Sequence, residues 1–230
     1  MDTGYLQKFS LIDYPGRICA VLFAVGCNFR CPWCHNPDLV RGFPPDRLVP
    51  VKAVLEFLET RRGKLEGVTI TGGEPTLQGE RLSSLAAAVK DLGFAVKVDT
   101  NGSRPAVLRD LAENGLVDYI AMDVKGPREA WPILAGGAVD YGAIDESIDF
   151  IMTSGVDYEF RTTLVGHLLT PDDIERAAER LAGAGRYVLQ RFVPSASLDP
   201  DFPKQDAFTG WERAAVLERV RRWVPSAFLR

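Results

Sequence analysis

Six apolar runs of strand length recur along the chain, at Arg17 to Val25, Gly67 to Thr71, Phe94 to Asp99, Val117 to Asp123, Asp157 to Thr163 and Arg186 to Phe192. Short runs of this kind read as buried, parallel strands. Between them lie helical patterns. Leu82, Leu85, Ala86 and Val89 recur at helical spacing before Gly93, and Val107, Leu108 and Leu111 do so before Gly115, with glycine where a helix should stop. Ser103 and Pro105 mark one helix start, while Thr170, Pro171, Asp172 and Asp173 supply another with a cap, a first-turn proline and acidic first-turn residues. Strands alternating with helices imply βα units around a parallel sheet, an α/β fold. Six strands are too few for an eight-stranded barrel, so a partial barrel or a doubly wound sheet is expected.

At 230 residues the chain suits one domain, residues 1–230. A net charge of -4 removes the electrostatic footprint of a general nucleic-acid binder. The opening "MDTGYLQKFSLIDYPG" lacks a basic segment followed by an apolar run, and no window approaches a membrane span, so a cytoplasmic protein is expected. Arg41 to Pro50 and Ser195 to Phe208 read as proline-containing loops. Trp211 to Val224 reads as a helix docked on the core through Val216, Leu217, Val220, Trp223 and Val224.

Three of the four cysteines, Cys27, Cys31 and Cys34, follow the first predicted strand with C-x3-C-x2-C spacing. In a reducing compartment such a cluster reads as metal ligands rather than disulfides. A structural zinc ion wants four closed ligands; His35 adjoins Cys34 too closely to share its metal, and His167 is remote. A 4Fe-4S cluster on three cysteines leaves one iron free to bind something else. Both readings stand at this point, with the cluster favoured. Cys19, inside the strand, reads as a small buried apolar side chain.

In a parallel barrel the functional groups gather at the C-terminal ends of strands. The second strand runs into "TGGEP", with Gly72, Gly73 and Glu74; the third into "DTNG", with Asp99, Thr100 and Asn101; the fourth into "MDVKG", with Asp123 and Lys125. The fifth carries Arg161, and the sixth offers Gln190 and Arg191, of which alternation lets one face inward; Gln190 is the choice. Each alone is as well explained by a turn or a solvated end. Together they form a polar cup above three cysteines.

The signature C-x3-C-x-aromatic-C, with Trp33 as the aromatic, resembles that of the radical S-adenosylmethionine enzymes. The resemblance implies a partial (β/α)6 barrel and a 4Fe-4S cluster on Cys27, Cys31 and Cys34. S-adenosylmethionine would bind beside Trp33, at the free iron. By the same resemblance Gly72, Gly73 and Glu74 face its amino group, Lys125 and Arg161 its carboxylate, and Gln190 its adenosyl part. Asp99, Thr100 and Asn101 face the ribose or a monovalent cation that Asp123 joins.

"CHNP" at Cys34 to Pro37 and "SLIDYPGRICAVLF" at Ser10 to Phe23 are similar to the glycyl-radical-enzyme activases, most of all those serving anaerobic ribonucleoside-triphosphate reductase. This implies a glycyl radical enzyme as protein substrate and a low-potential electron donor such as flavodoxin or ferredoxin. Another glycyl radical enzyme such as pyruvate formate-lyase, a small-molecule substrate, and a non-catalytic zinc module are the alternatives. His35 and Asn36 read as loop-pinning residues and Asp13 as a turn residue first. Four cysteines leave no room for a second cluster.

Overall fold

The computed structural model describes residues 1–194, 197–203 and 208–230. Part of the expected Ser195 to Phe208 loop therefore lies outside the described residues. In chain order the elements are β1 (Thr3–Ser10), β2 (Cys19–Ala24), α1 (Pro37–Arg41), α2 (Val51–Glu59), β3 (Gly67–Gly72), α3 (Glu80–Asp91), β4 (Ala95–Thr100), α4 (Pro105–Glu113), β5 (Tyr119–Asp123) and α5 (Trp131–Leu134). They continue with α6 (Tyr141–Thr153), β6 (Asp157–Leu164), α7 (Pro171–Arg180), β7 (Tyr187–Arg191), α8 (Gly210–Val220) and β8 (Phe228–Leu229).

All eight strands form one sheet in sequence order, β1 antiparallel to β2 and every later neighbour parallel. β1 and β8 are its two edges and do not pair, so the barrel is partial. The six expected strands are β2 to β7. β1 was not foreseen because its pattern, with Tyr5 and Phe9 exposed, has neither a continuous apolar run nor a clean alternation. β8 is two residues long and forms only by pairing with β7.

Strand alternation divides the interior in two. On β2, Ala20 and Leu22 join the helix-facing core, and Cys19 and Val21 face the other way; on β5, Ile120 and Met122 part from Tyr119 and Ala121 in the same manner. The helix-facing core takes Leu82, Leu85 and Val89 of α3, Leu108 and Leu111 of α4, and Ile144, Ile148 and Ile151 of α6. Each such side chain contributes about 1.5–3 kcal/mol by leaving water. The inner face is where a strand can carry charge without breaking this core. Lys97 and Asp99 on β4, Asp123 on β5 and Glu159 and Arg161 on β6 all have inner-face parity.

Thr170 caps α7 through a reciprocal capping box with Asp173 behind Pro171, as its sequence specifies. Ser103 does not cap α4: Arg104 holds that position without a side-chain bond, and Ser103 Oγ is buried with no partner. α8 starts one residue before the expected C-terminal helix and stops at Val220, so Trp223 and Val224 lie beyond it; it buries Val216, Leu217 and Val220. No helix among the described residues is long and apolar enough to cross a membrane.

Candidate active site at the strand ends

Cys27, Cys31 and Cys34 are free thiols in the loop after β2, and all three line one cavity of about 340 Å³. The loop is held at several points. The Arg30 side chain donates to the Cys27 and Phe29 carbonyls at 2.6 and 2.9 Å, the Arg30 N–H donates to the Ala135 carbonyl at 2.6 Å, and the Cys34 N–H closes a turn on Cys31 at 3.0 Å. Trp33 is buried and its ring centroid lies 6.3 Å from that of Phe202. The Phe29 N–H points at Cys27 Sγ from 3.4 Å.

Burial pushes the Cys27 thiol up to about 11, against that N–H, and raises Cys31 as well. Such thiols carry protons at neutral pH and release them as they take up metal. Among the described residues no three His, Cys, Asp or Glu side chains converge on one ion position.

Gly72, which ends β3, and Gly73 also have a packing job. A Cβ on Gly73 would stand 2.0 Å from the Gly26 carbonyl oxygen, and one on Gly72 (φ +115°) would stand 2.5 Å from the Ala24 nitrogen. Their bare backbones let this loop lie directly on the chain leading into Cys27. Two bonds seal the contact, from the Gly73 N–H to the Ala24 carbonyl at 2.9 Å and from the Glu74 N–H to the Gly26 carbonyl at 2.7 Å.

Glu74 is 1% exposed and its carboxylate is already occupied. Oε1 accepts from the Thr76 N–H (3.1 Å) and the hydroxyls of Thr76 (2.6 Å) and Thr100 (2.8 Å), while Oε2 accepts from the Asn101 N–H (2.6 Å). Burial raises its pKa and these four donors oppose the rise. Four donors suit the ionised form, so Glu74 works first as a staple between two strand-end loops. Asn101 carries the staple onward, its Nδ2 donating to Asn28 Oδ1 at 3.0 Å, next to Cys27.

Across the cup the charged groups form one chain. Lys97 donates to Asp99 Oδ1; Arg161 Nη1 donates to Asp99 Oδ2 at 3.1 Å and its Nε to Asp123 Oδ1 at 2.9 Å; Lys125 donates to Asp123 Oδ2 at 3.1 Å. Asp123 and Arg161 are directly opposite in the parallel register. Burial pushes Asp99 and Asp123 up, but Arg161 chiefly, with the lysines, more than reverses it and holds both carboxyls below their ordinary range. Burial likewise pulls the Lys125 ammonium down, and the Asp123 carboxylate, chiefly, more than restores it.

The cavity gathers Trp33, Gly72, Gly73, Glu74, Asp99, Thr100, Asn101, Asp123, Lys125, Arg161 and Gln190 with the three cysteines. Gln190 faces it and Arg191 is exposed. Sequence reasoning missed Phe23, Phe29, Thr71 and Thr163, which also line it, although Phe23 and Thr71 follow from alternation along β2 and β3. Asp13 lines it too, from a turn in which Ser10 Oγ donates to Asp13 Oδ2. His35 stacks on Phe192 at 6.0 Å and bonds the Val193 backbone, which suits a pinning role; Asn36 makes no side-chain cap on α1. A larger cleft of about 1270 Å³ lies at the opposite end of the strands, around Tyr14, Arg17 and Arg186, and holds none of the cysteines.

A family model described as the Radical SAM superfamily matches residues 21–184. The chain belongs to the radical SAM superfamily. A Methanocaldococcus jannaschii protein described as a candidate glycyl-radical enzyme activating enzyme is 35% identical over 207 residues, 86% of this chain and 83% of its own. The pyruvate formate-lyase-activating enzyme of Staphylococcus epidermidis is 33% identical over 137 residues, 54% of each chain. Among solved structures, Streptococcus suis SuiB bound to S-adenosylmethionine superposes with a TM-score of 0.71, at 14% identity, over 91% of this chain and 49% of that one. At that identity the likeness speaks for the fold alone.

This radical SAM protein is thus an enzyme of the glycyl-radical activase kind, and it uses a 4Fe-4S cluster and S-adenosylmethionine. The donor set fits the cluster: three free thiols on one wall of one cavity, with no fourth cysteine beside them. When bound, the cluster supplies the electron that splits S-adenosylmethionine into methionine and a 5′-deoxyadenosyl radical able to take a hydrogen atom from carbon. The chain's own residues hold the loop and set the charge of the cup.

Proposed function

We propose that this protein installs the glycyl radical on an anaerobic ribonucleoside-triphosphate reductase, removing one Cα hydrogen atom from a glycine of that partner. The observation that carries the reading is the position of the "IDYPG" turn. Asp13 lines the cavity, while the preceding Leu11 and Ile12 are 65% and 79% exposed. Apolar side chains held in water next to a cavity-lining residue suit a protein loop as substrate better than a small molecule. The unpaired edges β1 and β8 leave the partial barrel open at its side, where such a loop can enter.

In this reading Cys27, Cys31 and Cys34 hold the cluster and Trp33 walls it. The methionine carboxylate of the cofactor takes the guanidinium hydrogens of Arg161 that are not spent on Asp99 and Asp123, together with Lys125. Backbone around Gly72 and Gly73 meets the amino group, with the buried Glu74 charge behind it. Thr100 and Asn101 approach the ribose, and Gln190 the adenosyl part. Hydrogen-atom transfer needs no general acid or base, which agrees with a chain of two histidines. The protein works in the cytoplasm, drawing its electron from a flavodoxin or ferredoxin.

The test mixes anaerobic, reduced, cluster-loaded protein and S-adenosylmethionine with the reductase. A doublet electron paramagnetic resonance signal is expected, lost when one C-terminal glycine of the partner is replaced by alanine. Cofactor cleavage without a radical on the reductase contradicts the assignment; a radical on pyruvate formate-lyase instead moves it there.

A further inference from the structure

The resemblance that pointed to the cofactor also placed a monovalent cation near Asp99 and Asp123. The residues do not fit one. Each of the four carboxylate oxygens of this pair already faces a cationic donor: Asp99 Oδ1 takes Lys97, Asp99 Oδ2 and Asp123 Oδ1 take Arg161, and Asp123 Oδ2 takes Lys125. Two carboxylates and three cations leave a net positive charge before any ion arrives. The side chains are shielded, with Lys97 at 1%, Arg161 at 11% and Asp99 at 14% exposure, so water screens little of the repulsion a further cation would meet.

Lys97 is the member of this chain that sequence reasoning passed over. It stands two residues before Asp99 on β4, so alternation turns both to the inner face, and in the register it lies between Thr69 of β3 and Tyr119 of β5. A charged side chain at the centre of a buried strand is rare without a partner. Its partner is Asp99 Oδ1, while Arg161 bonds Oδ2.

We propose that Lys97 is the resident cation of the Asp99–Asp123 pair, standing where a monovalent metal ion was expected, so that cofactor binding in this protein is independent of added sodium or potassium. Lys97 is then a positioning residue. It holds Asp99 from below, Asp99 with Asp123 holds Arg161, and Arg161 meets the cofactor carboxylate. The last of these contacts rests on the function proposed above; the replacement of the ion does not.

The test has two arms. In the first, cluster-loaded protein is titrated with S-adenosylmethionine at fixed ionic strength in sodium, potassium or tetramethylammonium chloride, the last too large for the site. The dissociation constants should agree within about twofold, and binding about tenfold weaker in tetramethylammonium overturns the proposal. In the second, the sodium NMR relaxation of cofactor-free protein is compared between wild type and Lys97→Met. Wild type should give no site-specific broadening, and the variant should gain one that potassium competes away. Specific broadening by wild type overturns the proposal even if no cofactor binds. Failure to bind S-adenosylmethionine in any salt sinks only the reading of the cup. Should Lys97→Met not fold, Lys97→Arg keeps the charge and should remain as cation-independent as wild type, and a gained dependence contradicts the proposal.

Discussion

The backbone N–H of Asn101 donates to Glu74 Oε2 at 2.6 Å, so the loop after β4 is fastened to a carboxylate from the loop after β3. The cavity-lining groups on both loops are thereby fixed in one frame, and the frame rests on an acid that is fully inside. Glu74→Gln keeps the shape and turns one acceptor into a donor facing a donor. The expected cost is about 1–3 kcal/mol. For a chain of this size that lowers the melting temperature by roughly 2–4 °C per kcal/mol, readable by calorimetry. An unchanged melting point contradicts the staple.

Gly73→Ala should be worse. The added Cβ meets a backbone oxygen, which cannot swing aside as a side chain could. We expect a loss of about 4 kcal/mol or more, the range reserved for backbone clashes and broken cores. Iron content should fall with it, because the displaced segment is the one leading into Cys27.

Replacing Cys27, Cys31 or Cys34 with alanine should abolish iron and sulfide retention after anaerobic reconstitution. Cys19→Ala should retain both. Cys19 lies on the inner face with Val21, Tyr119 and Ala121, receives only the Thr69 hydroxyl at 3.7 Å, and should cost roughly 1 kcal/mol as a small cavity. Iron lost from the Cys19 variant and kept in the Cys31 variant overturns the ligand assignment.

Arg161→Met removes the guanidinium that joins Asp99 to Asp123. Breaking a buried pair costs about 3–5 kcal/mol, and the surviving lysines place this case near the lower end. Both carboxyls lie below their ordinary value of 3.8 in the folded protein. The unfolded chain therefore takes protons first as pH falls, and the stability these groups contribute is present above about pH 4 and lost as pH drops through the folded values. Neutral pH should lie on a plateau. The variant should lose stability on that plateau and lose less on further acidification, because without the guanidinium both carboxyls titrate nearer their unfolded value, followed by chemical denaturation from pH 3 to 8. A variant with the wild-type acid profile would falsify the bridge.

Six strands and the cysteine loop were legible because a buried strand must be apolar and three thiols in eight residues have few uses. Alternation also required that only one of Gln190 and Arg191 face inward, and Gln190, the residue chosen, does. β1 was not legible: an edge strand pairs on one side, so half its residues stay polar and only β2 defines it. Nor was the role of Gly73, which depends on Gly26 being brought against it from another loop. Glu74 read as an open acceptor because sequence shows a charge and not the four donors that fold around it. Lys97 was within reach of the period-two rule, which puts it on the face of Asp99, yet one lysine in an apolar run gives no sign of the partner it will meet.

The central claim is that the hydrogen atom comes from a glycine of a partner protein, and isotope transfer tests it most directly. A glycyl radical enzyme produced with glycine deuterated at Cα is mixed anaerobically with the reduced, cluster-loaded protein and S-adenosylmethionine, and the 5′-deoxyadenosine formed is weighed by mass spectrometry. The account predicts one deuterium per molecule of 5′-deoxyadenosine, matched by one glycyl radical on the partner. Unlabelled 5′-deoxyadenosine, formed at the same rate whether or not the partner is present, would contradict it.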